Sequence, residues 1–308
     1  MMNKRNITRL LNLAIVFLIV ASVYFFFKDW SNYFDFKNKQ AELKKQKAAW
    51  KILEGNIKKE LNCFNGKAGI VIKDLNKGWQ IAINQDQPFP SASLVKIPIM
   101  AACFWAVNEG KLKLNEDLQL KKADKVSGSG NLKNLPSGSA FTIEKLIEMM
   151  ITESDNTAAN MLIEQMGFDY LNACFKKLKL RNTNISRKMM DFKGRKQGKE
   201  NFTTVSDLAF ILEEIYNNRL VNKAYSQMCL EFLKKQNIRD RIPSKLPANI
   251  IVAHKTGLER GICHDAGIIF APHLDILICV LTRHKGKTAK LAKAFIGELA
   301  FLAYRYCQ

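Results

Sequence analysis

Ile250-Ile-Val-Ala-His-Lys-Thr-Gly-Leu-Glu-Arg260, with Asp265-Ala-Gly-Ile-Ile-Phe270 and Asp275-Ile-Leu-Ile-Cys-Val-Leu-Thr282 behind it, is the stretch that decides the fold. Its short β-branched and aliphatic runs, punctuated by Gly261 and Pro272, read as three strands. Two more strand-like runs lie near the other end of the chain, Ala68-Gly-Ile-Val-Ile-Lys-Asp74 and Trp79-Gln-Ile-Ala-Ile-Asn84. Leu75-Asn-Lys-Gly78 between them suits a hairpin, because Asn and Gly tolerate positive φ. The residues between these two sets follow a helical period, over Leu94–Val107, Ile143–Met150, Asn156–Met166, Tyr170–Leu178, Val205–Tyr216 and Tyr225–Lys234. Leu291–Tyr304 forms a last helix, with Leu291, Phe295, Leu299 and Leu302 on one face.

Strands at both ends and helices in the middle imply an α+β fold. The ends meet in one antiparallel five-stranded sheet flanked by the N- and C-terminal helices, and the central helices make a second lobe. The cleft between the lobes is the expected active site.

The 308 residues, 47% hydrophobic and 25% charged, exclude a disordered or collagen-like chain. The net charge of +20, from 48 Lys+Arg against 28 Asp+Glu, raises nucleic-acid binding. The lysines run through the whole chain and no nucleic-acid motif accompanies them, so attraction to anionic lipid or cell-wall polymer is the better use of the charge. Seven cysteines are too sparse for a disulfide scaffold, and their odd number leaves one thiol unpaired within a monomer, the expected state. No Cys-x-x-Cys occurs and the four histidines are scattered, so no metal or cofactor is expected. His254, His264 and Asp265 read as positioning groups of the cleft wall.

Leu10–Phe27 is apolar almost throughout and as a helix reaches ~27 Å, close to the hydrocarbon thickness of a bilayer. Lys4, Arg5 and Arg9 precede it, which keeps the N-terminus cytoplasmic. Cleavage as a signal peptide at Val20-Ala-Ser22 is the alternative, but the apolar run continues past that site. The expected organisation is a cytoplasmic segment 1–9, a transmembrane anchor 10–27, a basic stalk 28–45 and a catalytic domain 46–308. That places the domain on the extracytoplasmic side of the membrane. Leu43, Trp50, Leu53, Ile57 and Leu61 share one helical face across Lys37–Leu61.

Three motifs carry chemistry. Ser93-Leu-Val-Lys96 opens a helical run, which sets a hydroxyl and an ammonium one turn apart. A lysine whose pKa is lowered by burial can take the serine proton and later return one to a leaving group. Ser154-Asp-Asn156 starts another helix, where a capping role suffices to explain it taken alone. His254-Lys-Thr-Gly257 ends a strand, with Gly allowing close approach to the backbone and Lys able to meet an anion.

Together, in this order and with Pro90-Ser-Ala before the first motif, Thr157-Ala158 and Asn160 after the second, and Leu258-Glu-Arg260 after the third, they resemble the active-site set of class A β-lactamases and penicillin-binding proteins. The resemblance covers roughly residues 45–308. It implies that Ser93 is the acylated nucleophile, Lys96 its proton partner and Ser154 a relay to the leaving nitrogen. Asn156 would hold the substrate's side-chain amide, and Lys255 and Thr256 its carboxylate. Gly257 leads into Leu258, whose backbone N–H would complete an oxyanion hole with that of Ser93. Asp155 would be structural. The implied substrate is a β-lactam or a D-Ala-D-Ala-like peptide.

One element of class A β-lactamases is missing: the Glu-x-x-Leu-Asn loop whose glutamate activates the hydrolytic water. The corresponding Arg187–Thr204 segment has only Asp191 and Glu200 as carboxylates. Glu200 reads as the partner of Arg187, and Asp191 is the candidate base. Three functions therefore stay open: a β-lactamase-type hydrolase first, then a membrane-anchored DD-peptidase, then a β-lactam sensor.

Overall fold

The computed structural model describes residues 3–307. The chain divides after Leu53 into two units. The first holds helix α1 (Lys4–Cys63) as far as Leu53. This helix contains a window long and apolar enough to cross a membrane, and its Phe17, Leu18 and Phe27 are exposed.

The second unit begins with the last turns of α1, where Ile57 is fully buried. In chain order its strands and helices are β1 (Gly66–Asp74), β2 (Gln80–Ile83), β3 (Phe89–Pro90), α2 (Lys96–Asn108), β4 (Asp117–Gln119), β5 (Ala140–Thr142), α3 (Ile143–Thr152), α4 (Asn156–Met166) and α5 (Phe168–Lys177). There follow α6 (Phe192–Lys196), β6 (Phe202–Thr203), α7 (Val205–Tyr216), α8 (Lys223–Lys234), β7 (Ile251–Glu259), β8 (Ile262–Phe270), β9 (Asp275–His284) and α9 (Lys290–Tyr306).

The main sheet has five strands in the order β2-β1-β9-β8-β7, antiparallel throughout. Sequence-distant β1 and β9 pair from Gly66↔His284 to Asp74↔Ile276, so the two ends of the domain do meet in one sheet. β8 and β9 are buried along nearly their whole length, which is why they read as unbroken apolar runs instead of alternating ones. β7 is an edge strand, and it carries Lys255, Thr256 and Gly257.

The second lobe is built around α2, whose residues Lys96–Phe104 are buried on every side. Pro98 stands in its first turn, where a missing N–H costs nothing. Helices α3, α4 and α7 begin on side-chain caps: Thr142 accepts from Lys145 N–H, Asp155 from Ala158 N–H and Thr204 from Asp207 N–H.

The expected strands and long helices are present, with boundaries displaced by a few residues. Two differences bear on the site. Ala92–Val95 is a 3-10 turn, so the α-helix starts at Lys96 and not before it. The pairs β3–β6 and β4–β5 and the single turn of α6 have no counterpart in the sequence reading, because segments of two to five residues are too short to show a period.

Candidate active site

Three elements converge on one buried cluster of polar atoms. The 3-10 turn places Ser93, partly exposed, just before Lys96, which is wholly buried. Ala92 in this turn has φ +45, a strained value for a residue with a side chain, and it packs against the edge strand: a Cβ added to Gly257 would meet the Ala92 Cβ at 3.3 Å. Glycine at 257 therefore lets β7 lie close to the turn that carries Ser93.

Lys96 Nζ donates to the Ser154 carbonyl at 2.6 Å, to Asn156 Oδ1 at 2.8 Å and to Ser154 Oγ at 3.3 Å. Lys255 Nζ reaches the same hydroxyl from the sheet side at 2.8 Å. Ser154 can receive both because its φ is +56, which turns the chain sharply ahead of α4. Asp155 takes the structural role: its carboxylate caps α4 and also accepts Leu132 N–H at 2.8 Å. A Cβ at Gly130 would collide with that carboxylate, so the 127–132 loop needs glycine there. The loop's Ser127 carbonyl in turn accepts from Asn156 Nδ2 at 3.2 Å.

The electrostatics suit proton transfer. Burial drives the Lys96 pKa from 10.5 down to about 7, with the Asp155 carboxylate opposing the shift. Lys255 is also pushed well below its ordinary value, by burial first and then by repulsion from Lys96. Two ammonium groups in contact with one hydroxyl, both cut off from water, resist being charged together.

The sheet braces the site from behind. His264 Nε2 lies 2.9 Å from the Pro90 carbonyl, and its Nδ1 accepts Thr282 N–H at 3.0 Å. Burial holds its pKa down to about 4, so the ring is neutral and Nε2 carries the proton given to Pro90. His264 thereby ties the segment entering Ser93 to β8 and β9. His254 Nδ1 bonds both oxygens of Asp265, and Asp265 Oδ2 accepts Ile242 N–H at 3.0 Å. Among the described residues no cluster of His, Cys, Asp and Glu has the arrangement of a metal site.

The Arg187–Thr204 segment closes the remaining side. Asn160, one turn beyond Asn156 on the same face of α4, accepts Met189 N–H at 2.7 Å and donates to the Met189 carbonyl at 3.1 Å. Met190 follows with φ +63, and its sulfur would lie 3.2 Å from a Cβ on Gly128, beside the Asn156 amide. The Met190 thioether thus lies near Asn156, and the Met189 backbone is clamped by Asn160 one turn further along α4. Glu200 pairs with Arg187 at 2.6 Å and with Arg195 at 2.8 Å. Asp191 accepts Gly194 N–H at 2.8 Å as the cap of α6 and lines a cavity of about 170 Å³ with Asn160, Lys188 and Met189. No hydrogen bond or ion pair among the described residues joins it to Ser93, Lys96, Ser154 or Lys255.

This constellation, on this sheet, has known counterparts. The family model described as the β-lactamase enzyme family matches residues 52–307. The chain belongs to the β-lactamase enzyme family. It is 32% identical to a β-lactamase from Sphaerobacter thermophilus of known structure, with a TM-score of 0.76 over 84% of this chain and 97% of that one. It is 26% identical over 272 residues to the β-lactamase VEB-1 of Pseudomonas aeruginosa, covering 81% of this chain and 88% of the relative. PBP-A, another solved structure, is 28% identical with a TM-score of 0.76, over 82% of this chain and 94% of that chain. The fold and these relatives make the protein a class A β-lactamase-like serine hydrolase, an enzyme of β-lactam hydrolysis.

Of the residues expected at the site, the fold brings Lys96, Ser154, Asn156 and Lys255 into one hydrogen-bonded cluster, with Ser93 on the turn just before Lys96. Sequence reading missed Asn160's clamp on Met189 and the two-sided bonding of His264. An Asn on the same helix face as Asn156 and a His on a strand of the sheet were the available signals, and neither has a meaning until its partner in space is known.

Proposed function

We propose that the domain opens β-lactam amides through an acyl-enzyme on Ser93. The observation that carries this reading is Lys96, wholly buried, three residues after Ser93 and hydrogen-bonded to Ser154 and Asn156. Neutral Lys96 takes the hydroxyl proton as Ser93 Oγ bonds to the carbonyl carbon, and the backbone N–H groups of Ser93 and Leu258 receive the oxyanion. The C–N bond then breaks. The nitrogen takes a proton through Ser154, which is in contact with both lysines. Asn156 orients the substrate's side-chain amide, and Lys255 with Thr256 meets its carboxylate beside Gly257. Water then cleaves the ester, and Asp191 is the carboxylate left to activate it, since Glu200 is bound to two arginines. Residues 10–27 anchor the chain in the inner membrane, 28–45 form the stalk, and 46–308 work in the periplasm as a monomer.

The Met190 thioether near Asn156, with the Met189 backbone held by Asn160, favours a second reading. With no carboxylate clamped there, the acyl-enzyme is long-lived, and the physiological substrate is a D-Ala-D-Ala-like stem peptide, as in a DD-peptidase; a sensor that is acylated once would need a signalling partner. The test mixes the full chain in detergent with a penicillin and a chromogenic cephalosporin, following product by absorbance and adduct by intact mass. Sustained turnover identifies the hydrolase. One equivalent of stable adduct identifies the slow deacylator. Ser93→Ala must abolish both signals, and an adduct surviving in that variant overturns the assignment.

A further inference from the structure

Immediately after Leu258 on the edge strand stands Glu259, and its carboxylate is committed away from the sheet. One oxygen lies 2.8 Å from Arg195 Nη1 and the other 3.5 Å from Arg187 Nη2. The same two arginines hold Glu200, which takes Arg187 Nε at 2.9 Å and Arg195 Nε at 2.8 Å. Two guanidinium groups and two carboxylates thus form one alternating, neutral cluster, with Arg187 almost entirely buried and Glu200 nearly so.

The cluster joins parts that have no other reason to meet. Arg187, Arg195 and Glu200 belong to the segment that crosses the cleft. That segment is pinned to α4 through Asn160 and Met189, and to the nucleophile's turn through the Asn201 carbonyl, which accepts Ser91 N–H at 2.8 Å. Glu259 attaches it to the edge strand. Leu258 has an exposed side chain, so packing does little to fix its backbone. What fixes it is the ladder to Cys263 on one side and the clasped Glu259 on the other.

We infer that Glu259 is a positioning residue: its pairing with Arg195 and Arg187 clasps the crossing segment to the edge strand and holds the Leu258 N–H at the angle that receives the oxyanion. The inference rests on the acyl-transfer reading of Ser93. Because the oxyanion forms only in the transition state, loosening the clasp slows the chemical step more than it weakens substrate binding.

The test compares Glu259→Gln, Arg195→Gln and the double variant of the full chain, by the rate of acylation with a fluorescent penicillin across a concentration series. Each single variant should lose about tenfold in the limiting acylation rate, while the half-saturating concentration moves less than about twofold. The double variant should lose little more than either single one, since the Glu259–Arg195 pair is already broken in each, and Glu259→Asp should recover most of the loss. Amide exchange in 188–199 and 256–263 should quicken in both single variants. Limiting rates within about twofold of the unaltered enzyme, or a double variant slowed about a hundredfold, overturn the clasp. If the unaltered chain is not acylated, the Ser93 reading falls and exchange alone decides: rates unchanged by Glu259→Gln refute the clasp, and quickened rates leave it standing as a tether without acyl chemistry.

Discussion

If Lys96 is the base that activates Ser93, acylation follows its proton. Burial lowers its pKa from 10.5 to about 7, and the ammonium form loses about 5 kcal/mol of its ordinary preference. The neutral fraction is then about 1% at pH 5, half at pH 7 and nearly complete at pH 9. The limiting acylation rate should accordingly rise about fiftyfold from pH 5 to 7 and only about twofold from pH 7 to 9. Stopped-flow acylation with saturating penicillin reads this step free of substrate affinity. His264 does not interfere, because its pKa of about 4 leaves it neutral across the range. Lys96→Ala should be acylated slowly, with the limb around pH 7 gone. A rate flat from pH 5 to 8 would exclude Lys96 as the base. A rate still climbing about tenfold per pH unit above 9 would mean that the lysine is as basic as in water and that burial does not control it.

Met189→Glu grows a carboxylate on a backbone that Asn160 holds from both sides, and should speed deacylation by at least about tenfold in a chase of labelled enzyme; an unchanged adduct lifetime would show that the clamp does not aim the side chain at the ester. Asp191→Asn should slow deacylation and leave acylation intact, whereas equal loss of both rates would reduce Asp191 to the cap of α6. His264→Ala strands the Pro90 carbonyl and the Thr282 N–H at about 1–3 kcal/mol each, and should lower the midpoint of thermal unfolding by roughly 5–15 °C; a smaller change would mean that water replaces the ring.

What the sequence discloses follows the range of the interactions involved. β8 and β9 are central strands buried on both faces, so their aliphatic runs announce them, and the first and last helices follow from one-sided periodicity. The motifs are legible because each is local: Lys96 is three residues from Ser93, and Asp155 caps the helix that Asn156 begins. The crossing segment is hidden because its order comes from partners far along the chain. Asn160 finds Met189, Arg195 finds Glu259 and Asn201 finds Ser91, and none of these pairs leaves a spacing to read. The missing glutamate was visible as an absence, yet only the fold shows that the Met190 thioether stands near Asn156.

On the proposed acyl-transfer reading, Ser154 explains why this site has two lysines where one base would serve. Its hydroxyl oxygen accepts from Lys255 at 2.8 Å and lies 3.3 Å from Lys96, while its carbonyl occupies Lys96 at 2.6 Å. When Lys96 is neutral, it gives up a donor and can accept the Ser93 proton; Lys255 keeps the Ser154 oxygen engaged, so the one proton that oxygen owns is directed into the cleft. The positive φ of Ser154 makes this possible by presenting carbonyl and hydroxyl to the same buried space. Strain at one residue and the burial of two cations both work against stability, and both are spent on having a proton acceptor beside the attacking oxygen and a proton donor beside the departing nitrogen.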